Sequence, residues 1–312
     1  MTLLDRLHDL DAAGAEHFFL STPALELVEA VTSVPDDHLL SLIGRDEVRS
    51  AAVRGILARI EEFAVPEQLA GVTGIARFDL ERRGRLLERH AVNFADGSVD
   101  LLLDRTETDP ADVVITTSLL GFVRLISGER NAGLEFLSGK LDIDGDELLA
   151  LGVGGVFRVP GHEGVAVDPT ALDPVDVASA LTGVRTGHLR KVMAGQIRPI
   201  VLDEIFRRLP DYVDERRSSK IRLTVGFRLE GSATGDVERY VVRIDRGRAV
   251  VSVGDPGGER DATVSCEGYD FLRLATGHLS PVTGVLRGQL KVRGDRAKAL
   301  MLSSVINIPT AR

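Results

Sequence analysis

Apolar and polar positions along this chain follow two periods, and the switch between them marks the elements. Asp112 to Thr117 is apolar and rich in β-branched residues, which predicts a strand. Leu119, Phe122, Leu125 and Ile126 then fall at helical spacing. Gly128 is placed to end that helix, and a second short helix runs to about Leu137. From Lys140 to Asp144 polar and apolar residues alternate, so Leu141 and Ile143 share one face of a strand. Gly145 turns the chain, and Asp146 stands where the N-cap of a last helix, from about Glu147, belongs. Upstream, Val72 to Leu80, Leu87 to Phe94 and Val99 to Leu103 read as strands, with Asp96-Gly97 as a hairpin turn.

The whole pattern occurs twice. Asp261 to Pro309 repeats Asp112 to Pro160 without a gap at an offset of 149, with 14 of 49 positions identical. Phe122-x-Arg124-Leu125-x-x-Gly128 returns as Phe271-x-Arg273-Leu274-x-x-Gly277. Gly139-x-Leu141-x-Ile143-x-Gly145-Asp146 returns as Gly288-x-Leu290-x-Val292-x-Gly294-Asp295. The earlier strands return as Arg222 to Leu229, Val237 to Ile244 and Ala249 to Val253, turned at Arg246-Gly247. Such a period is too long for a solenoid repeat and indicates a duplicated domain. Strand, helix, helix, strand, helix predicts an α+β unit whose helices cover one face of a mostly antiparallel sheet.

Helical patterns precede each unit. Ile56-Leu57-x-x-Ile60 pairs with Val201-Leu202-x-x-Ile205, each followed by a proline, Pro66 and Pro210. Leu3 to Ala30 reads as one or two helices without a counterpart: a lid, an interface helix or a cap. Ser21-Thr22-Pro23 has the residues of a helix start. The expected organisation is a helical extension at 1–34, a first unit at 35–160, a linker at 161–171 and a second unit at 172–312.

The order strand, Phe-x-x-Leu helix, Gly, helix, Gly-x-Leu-x-(Ile/Val)-x-Gly-Asp, helix resembles the sterol carrier protein 2 family, over Thr73 to Pro160 and again over Ile221 to Pro309. The resemblance implies, for each copy, a five-stranded sheet covered by helices around an apolar tunnel. It implies non-covalent carriage of a sterol, fatty acid or fatty acyl-CoA, without catalysis and without a cofactor.

Composition agrees with two globular units: 44% hydrophobic and 27% charged residues. The single cysteine, Cys266, excludes an intrachain disulfide. The first residues lack a signal-peptide pattern and the last lack a Ser-Lys-Leu tail, so the expected compartment is the cytoplasm. Abundant Ala, Gly, Arg, Asp and Val suggest a GC-rich bacterial genome. The net charge of −9 divides into +7 over 216–312 and −16 elsewhere. The acidic front half argues against nucleic acid as the main partner. The basic back half suits an anionic membrane surface or a CoA phosphate, and opposite charges also suit packing between halves. The sharpest contrast is Asp142 and Asp144 against Lys291 and Arg293 at matched positions.

No catalytic constellation stands out. The seven histidines show no metal-ligand spacing and read as surface or boundary residues. Gly152-x-Gly154-Gly155 is not a dinucleotide fingerprint; it reads as a loosened last helix, which favours the second unit as the better binder. Cys266, in an apolar strand, reads as core. Candidate tunnel walls are Phe122, Leu125, Ile126, Leu134, Leu137, Leu148 and Leu151 in the first unit. In the second they are Phe271, Leu274, Leu286, Ala297, Met301 and Val305. Ordinary core packing is the competing reading for each. The competing functions are an interaction protein with filled cavities and an accessory subunit that presents a hydrophobic substrate to an enzyme.

Overall fold

A computed structural model describes residues 3–161 and 164–311, apart from the side chain of His8, so His162 lies outside the described residues. The chain forms two compact units that divide between Asp168 and Pro169.

The sheet of unit 1 is β1 (Gly74–Arg82), β2 (Arg85–Ala95), β3 (Ser98–Leu102), β4 (Val113–Ser118) and β5 (Leu141–Gly145), in the order β3-β2-β1-β4-β5. Arg83-Gly84 and Asp96-Gly97 have positive φ at both positions, the twist that two-residue hairpin loops require. Only β1 and β4 pair in parallel; the other pairs are antiparallel, as the sequence pattern predicts. One sheet face, with Ala76, Phe78, Leu80, Val92, Val113 and Ile115, is buried. Helices α4 (Asp46–Ala58), α6 (Leu119–Ile126) and α8 (Glu147–Val156) pack against the sheet. Helices α1 (Ala12–Ser21), α2 (Ala24–Thr32), α3 (Asp36–Leu42), α5 (Pro66–Leu69) and α7 (Ala132–Ser138) complete the unit.

Unit 2 repeats this plan with β6 (Arg222–Glu230), β7 (Glu238–Asp245), β8 (Arg248–Val253), β9 (Ala262–Glu267) and β10 (Lys291–Gly294), in the order β10-β9-β6-β7-β8. Its helices are α9 (Pro174–Ala180), α10 (Thr186–Val192), α11 (Arg198–Arg208), α12 (Glu215–Ser218), α13 (Gly268–Ala275), α14 (Pro281–Leu286) and α15 (Arg296–Val305).

The Gly-Asp motif proves architectural. Gly145 and Gly294 have φ of +97° and +86°, and an added Cβ would stand 2.4 Å from Asp112 O and 2.5 Å from Asp261 O. Only glycine lets the edge strand end there. Asp146 Oδ1 then accepts from the backbone N–H of Leu148 and Leu149, and Asp295 Oδ1 from those of Ala297 and Lys298.

The structure corrects the register of the helical preface. The offset of 149 continues upstream: α5 matches α12, and the bridge Ala64–Phe157 matches Val213–Ile306. Val53 and Leu57 therefore correspond to Leu202 and Phe206, all four buried, and Arg49 corresponds to Arg198. Pairing Ile56-Leu57 with Val201-Leu202 is off by four residues. An apolar helical stripe recurs after about one turn, so the pattern alone scores well in either register.

The N-terminal helices are a packed cap on unit 1. Leu4, Leu7, Phe18, Phe19, Ala30 and Val34 form one cluster with Leu39, Leu42, Val48, Ala51 and Val123. Three arginines pin it by its helix-end carbonyls. Arg45 donates to Leu7 O and Leu10 O, Arg59 to Phe19 O and Thr22 O, and Arg124 to Val31 O and Val34 O. Ser21 and Thr22 do not cap α2; its N-cap is Pro23, and Ser21 Oγ turns back to His17 O.

Candidate functional site

The residues expected to line a tunnel all stand on the covering helices. In unit 1, Phe122 and Leu137 are buried, Phe122 lying 6.2 Å from Phe78 between ring centroids. Leu125, Ile126, Leu134 and Leu151 are half-buried, and Leu148 is exposed. In unit 2, Phe271 and Val305 are buried and Leu274 is half-buried, whereas Leu286, Ala297 and Met301 stand at the surface. The last three are thus exposed on α14 and α15 and form no interior wall.

The two interiors are filled differently. Phe206 lies between Tyr240, with centroids 3.8 Å apart, and Phe271, 4.8 Å away, and both pairs are stacked. Phe227 meets Phe206 and Phe271 edge-on. In unit 1 the position of Phe206 is held by Leu57, and that of Tyr240 by His90 on the matching strand. Stacked rings add dispersion and quadrupole attraction to their buried area, whereas the Phe78–Phe122 and Phe94–Phe157 pairs of unit 1 are tilted, with centroids 6.2 Å and 6.0 Å apart.

Each interior also carries a buried ionic pin. Arg49 Nε donates to Glu88 Oε1 at 2.7 Å, and His90 Nε2 lies 3.2 Å from Glu88 Oε2. The backbone N–H of Asp104 donates to His90 Nδ1, so the ring proton is on Nε2 and is shared with the carboxylate. Burial pushes the Glu88 carboxyl up, but the hydrogen bonds from His90 and Arg49 outweigh it and hold it below the usual range. In unit 2, Arg198 pairs with Glu238 and donates to the carbonyls of Met193, Leu229 and Glu230. Tyr240 donates to Asp203 Oδ1 at 2.7 Å, and burial, then that contact, raise its phenol pKa. His90 is only 1% exposed, so it is no surface or boundary histidine. Its spacing gave no signal: Glu88 is only two residues away, but Asp104 and the Arg49 that pairs with Glu88 are distant in sequence. The Arg49–Arg198 match was legible only in the right repeat register.

The glycines of α8 have a packing role. The helix runs intact to Val156, as long as α15. At Gly154 an added Cβ would meet Val167 Cγ2 at 2.4 Å, and Val167 N donates to Gly154 O. The residues after the helix fold back against it; the helix is not loosened. Cys266 is buried, and burial first, then Asp270, pushes its thiol up to about 12. Among the described residues, no group of three His, Cys, Asp or Glu is arranged to hold a metal, and no helix is long and apolar enough to cross a membrane.

Two α+β units with these duplicated motifs define a tandem of small helix-covered sheets. A family model described as the SCP-2 sterol transfer family matches residues 54–158 and 202–307, more than half of the chain. The chain belongs to that family. Sterol carrier protein 2 of Gallus gallus is 27% identical over 159 residues, covering 50% of this chain and 26% of that protein. Hydroxysteroid dehydrogenase-like protein 2 of Xenopus tropicalis is 26% identical over 111 residues, covering 36% of this chain and 26% of that protein. The aligned stretch is thus about a quarter of either relative's length. A solved structure of palmitated SCP2L2 from Aedes aegypti matches 36% of this chain and 95% of its own, at 22% identity and a TM-score of 0.30. Sterol carrier protein 2 from Yarrowia lipolytica, in its apo form, matches 34% and 91%, at 22% identity and a TM-score of 0.29.

Proposed function

We propose that this protein is a lipid carrier, holding a fatty acid, fatty acyl-CoA or sterol non-covalently between helices and the inner sheet face. The observation that carries this reading is the family match in both units, over the segments that build that face. The half-buried Leu125, Ile126, Leu134 and Leu151 supply apolar wall in unit 1. Affinity would come from buried methylenes, at about 0.8 kcal/mol each, which favours long chains over a particular headgroup. Unit 1 is the first place to look for the lipid, because the stacked Phe206, Tyr240 and Phe271 fill the middle of unit 2. That stack also favours a second reading for unit 2 alone, a filled domain kept for interaction. A cytoplasmic carrier must load at a lipid surface, and contact of the basic second unit with an anionic membrane belongs to this reading.

Native mass spectrometry of freshly purified full chain, followed by lipid extraction, tests it. One bound lipid per chain is expected. Lipid-free protein that also takes up no fluorescent fatty acid would overturn the carrier reading and leave the interaction reading.

A further inference from the structure

The two units present the same sheet edge with opposite charge. β5 in unit 1 and β10 in unit 2 each end their sheet, with β4 or β9 on one side and no strand on the other. Among the described residues, no backbone hydrogen bond from another segment reaches 142–144 or 291–293 from the free side. Such an edge is a row of unpaired N–H and C=O groups, a template for a further strand.

The register fixes which side chains flank each edge. Asp142 and Asp144 lie opposite Thr116 and Val114, exposed on the open sheet face, and Ile143 is on the inner face. Lys291 and Arg293 lie opposite Ser265 and Thr263, exposed on the open face, and Val292 is on the inner face. Ile143 and Val292 are only half-buried, so each leaves apolar surface at the rim of its sheet. Charge on an edge strand ordinarily keeps edges apart. These charges do so selectively. Two β5 edges would set carboxylates against carboxylates, and two β10 edges cations against cations. β5 beside β10 sets each carboxylate against a cation.

Geometry then allows one direction. β5 and β10 are the equivalent edge of two like sheets, ordered β3-β2-β1-β4-β5 and β10-β9-β6-β7-β8. With both open faces on one side, equivalent edges meet only when the strands run antiparallel. The register that sets Ile143 against Val292 also sets Asp142 against Arg293 and Asp144 against Lys291. We propose that β5 of one chain pairs in this way with β10 of a second copy, joining two five-stranded sheets into one. The acidic and the basic edge are carried by the same chain in separate sheets, so a second copy supplies the complement of each. The edges are short, at five and four residues, so the association is weak and depends on concentration. It stands apart from the carrier reading, since neither edge needs a bound lipid.

Sedimentation velocity of the full chain at rising concentration and low salt tests it. Wild type is expected to shift from one chain to two or more, and about 1 M salt, which screens charges beyond about 3 Å, should return it to one. D142K/D144K, with two basic edges, and K291D/R293D, with two acidic edges, should each lower the affinity by about tenfold or more. Mixed together, the two variants should associate again, which a folding defect in either cannot imitate. R243E/R248E, on the open face at the far end of the sheet from β10, should associate like wild type. Amide exchange over 142–144 and 291–293 should slow as wild type associates. A chain that stays single at every concentration overturns the proposal. So does association that survives either edge reversal, that does not return on mixing, that R243E/R248E weakens as much, or that leaves those amides unprotected.

Discussion

Arg198 donates to both carboxylate oxygens of Glu238, with Nη2 2.7 Å from Oε2, from a side chain that is almost wholly buried. The same arginine satisfies three backbone carbonyls, so it ties the start of α11 to the end of β6 and the start of β7. Removing one member of such a buried pair leaves the other charge uncompensated, at a cost of about 3–5 kcal/mol. Arg198→Met should therefore cost unit 2 about 3 kcal/mol or more, read as an earlier transition for that unit in urea. Glu238→Gln keeps the hydrogen-bond acceptor and should cost less.

Two buried acids should move stability in opposite directions with pH. Glu88 titrates below its ordinary value of 4.5 in the folded protein, so its contribution is present above that value. It is lost as pH falls through the lower folded value. Asp270 is shifted up by burial, against the hydrogen bonds that favour its charge. Its contribution is present below the ordinary value of 3.8 and is lost as pH rises through the higher folded value. Glu88→Gln should lower the melting temperature at pH 7 and flatten the acid-side decline. Asp270→Asn, which keeps an oxygen for Gln289 Nε2, should raise it at pH 7 and lose the gain by about pH 3.

Glycines of one motif should differ in tolerance. Gly288 and Gly294 both have positive φ, but nothing lies within 4 Å of a Cβ at Gly288, while Asp261 O lies 2.5 Å from one at Gly294. Gly288→Ala should cost only the left-handed penalty of about 1–2 kcal/mol. Gly294→Ala adds a backbone clash and should cost clearly more in a parallel thermal melt.

Restoring the unit 1 residue at the aromatic stack should open unit 2. Phe206→Leu, which copies Leu57, removes the ring between Tyr240 and Phe271. The expected result is a rise from one to two bound fatty acids per chain in native mass spectra. An unchanged stoichiometry would mean that the stack is not what fills unit 2.

Cys266 should be silent in the folded protein. Its thiol is buried and pushed up to about 12, so almost no thiolate exists at neutral pH. A thiol reagent such as DTNB should label it only as unit 2 unfolds, which makes it a built-in reporter of that unit.

The repeated Gly-Asp motif, the hairpin turns, the β-branched apolar run of β4 and the alternation on β5 determined the fold class and the duplication from the sequence alone. Those signals are local: a left-handed glycine, a capping aspartate and a period of two act within a few residues. What the sequence left open was decided by contacts between distant segments. Leu137 and Leu286 occupy the same repeat position, yet one is buried and the other exposed. Gly154 lies in an intact helix because Val167, thirteen residues on, packs against it. His90 is held inside by Glu88 on its own strand and the backbone N–H of Asp104, and Arg49 of the distant α4 pairs with that Glu88. Burial and charge pairing depend on which surfaces meet, and hydrophobic periodicity specifies only that a face seeks cover. Only the tertiary structure decided which faces found it.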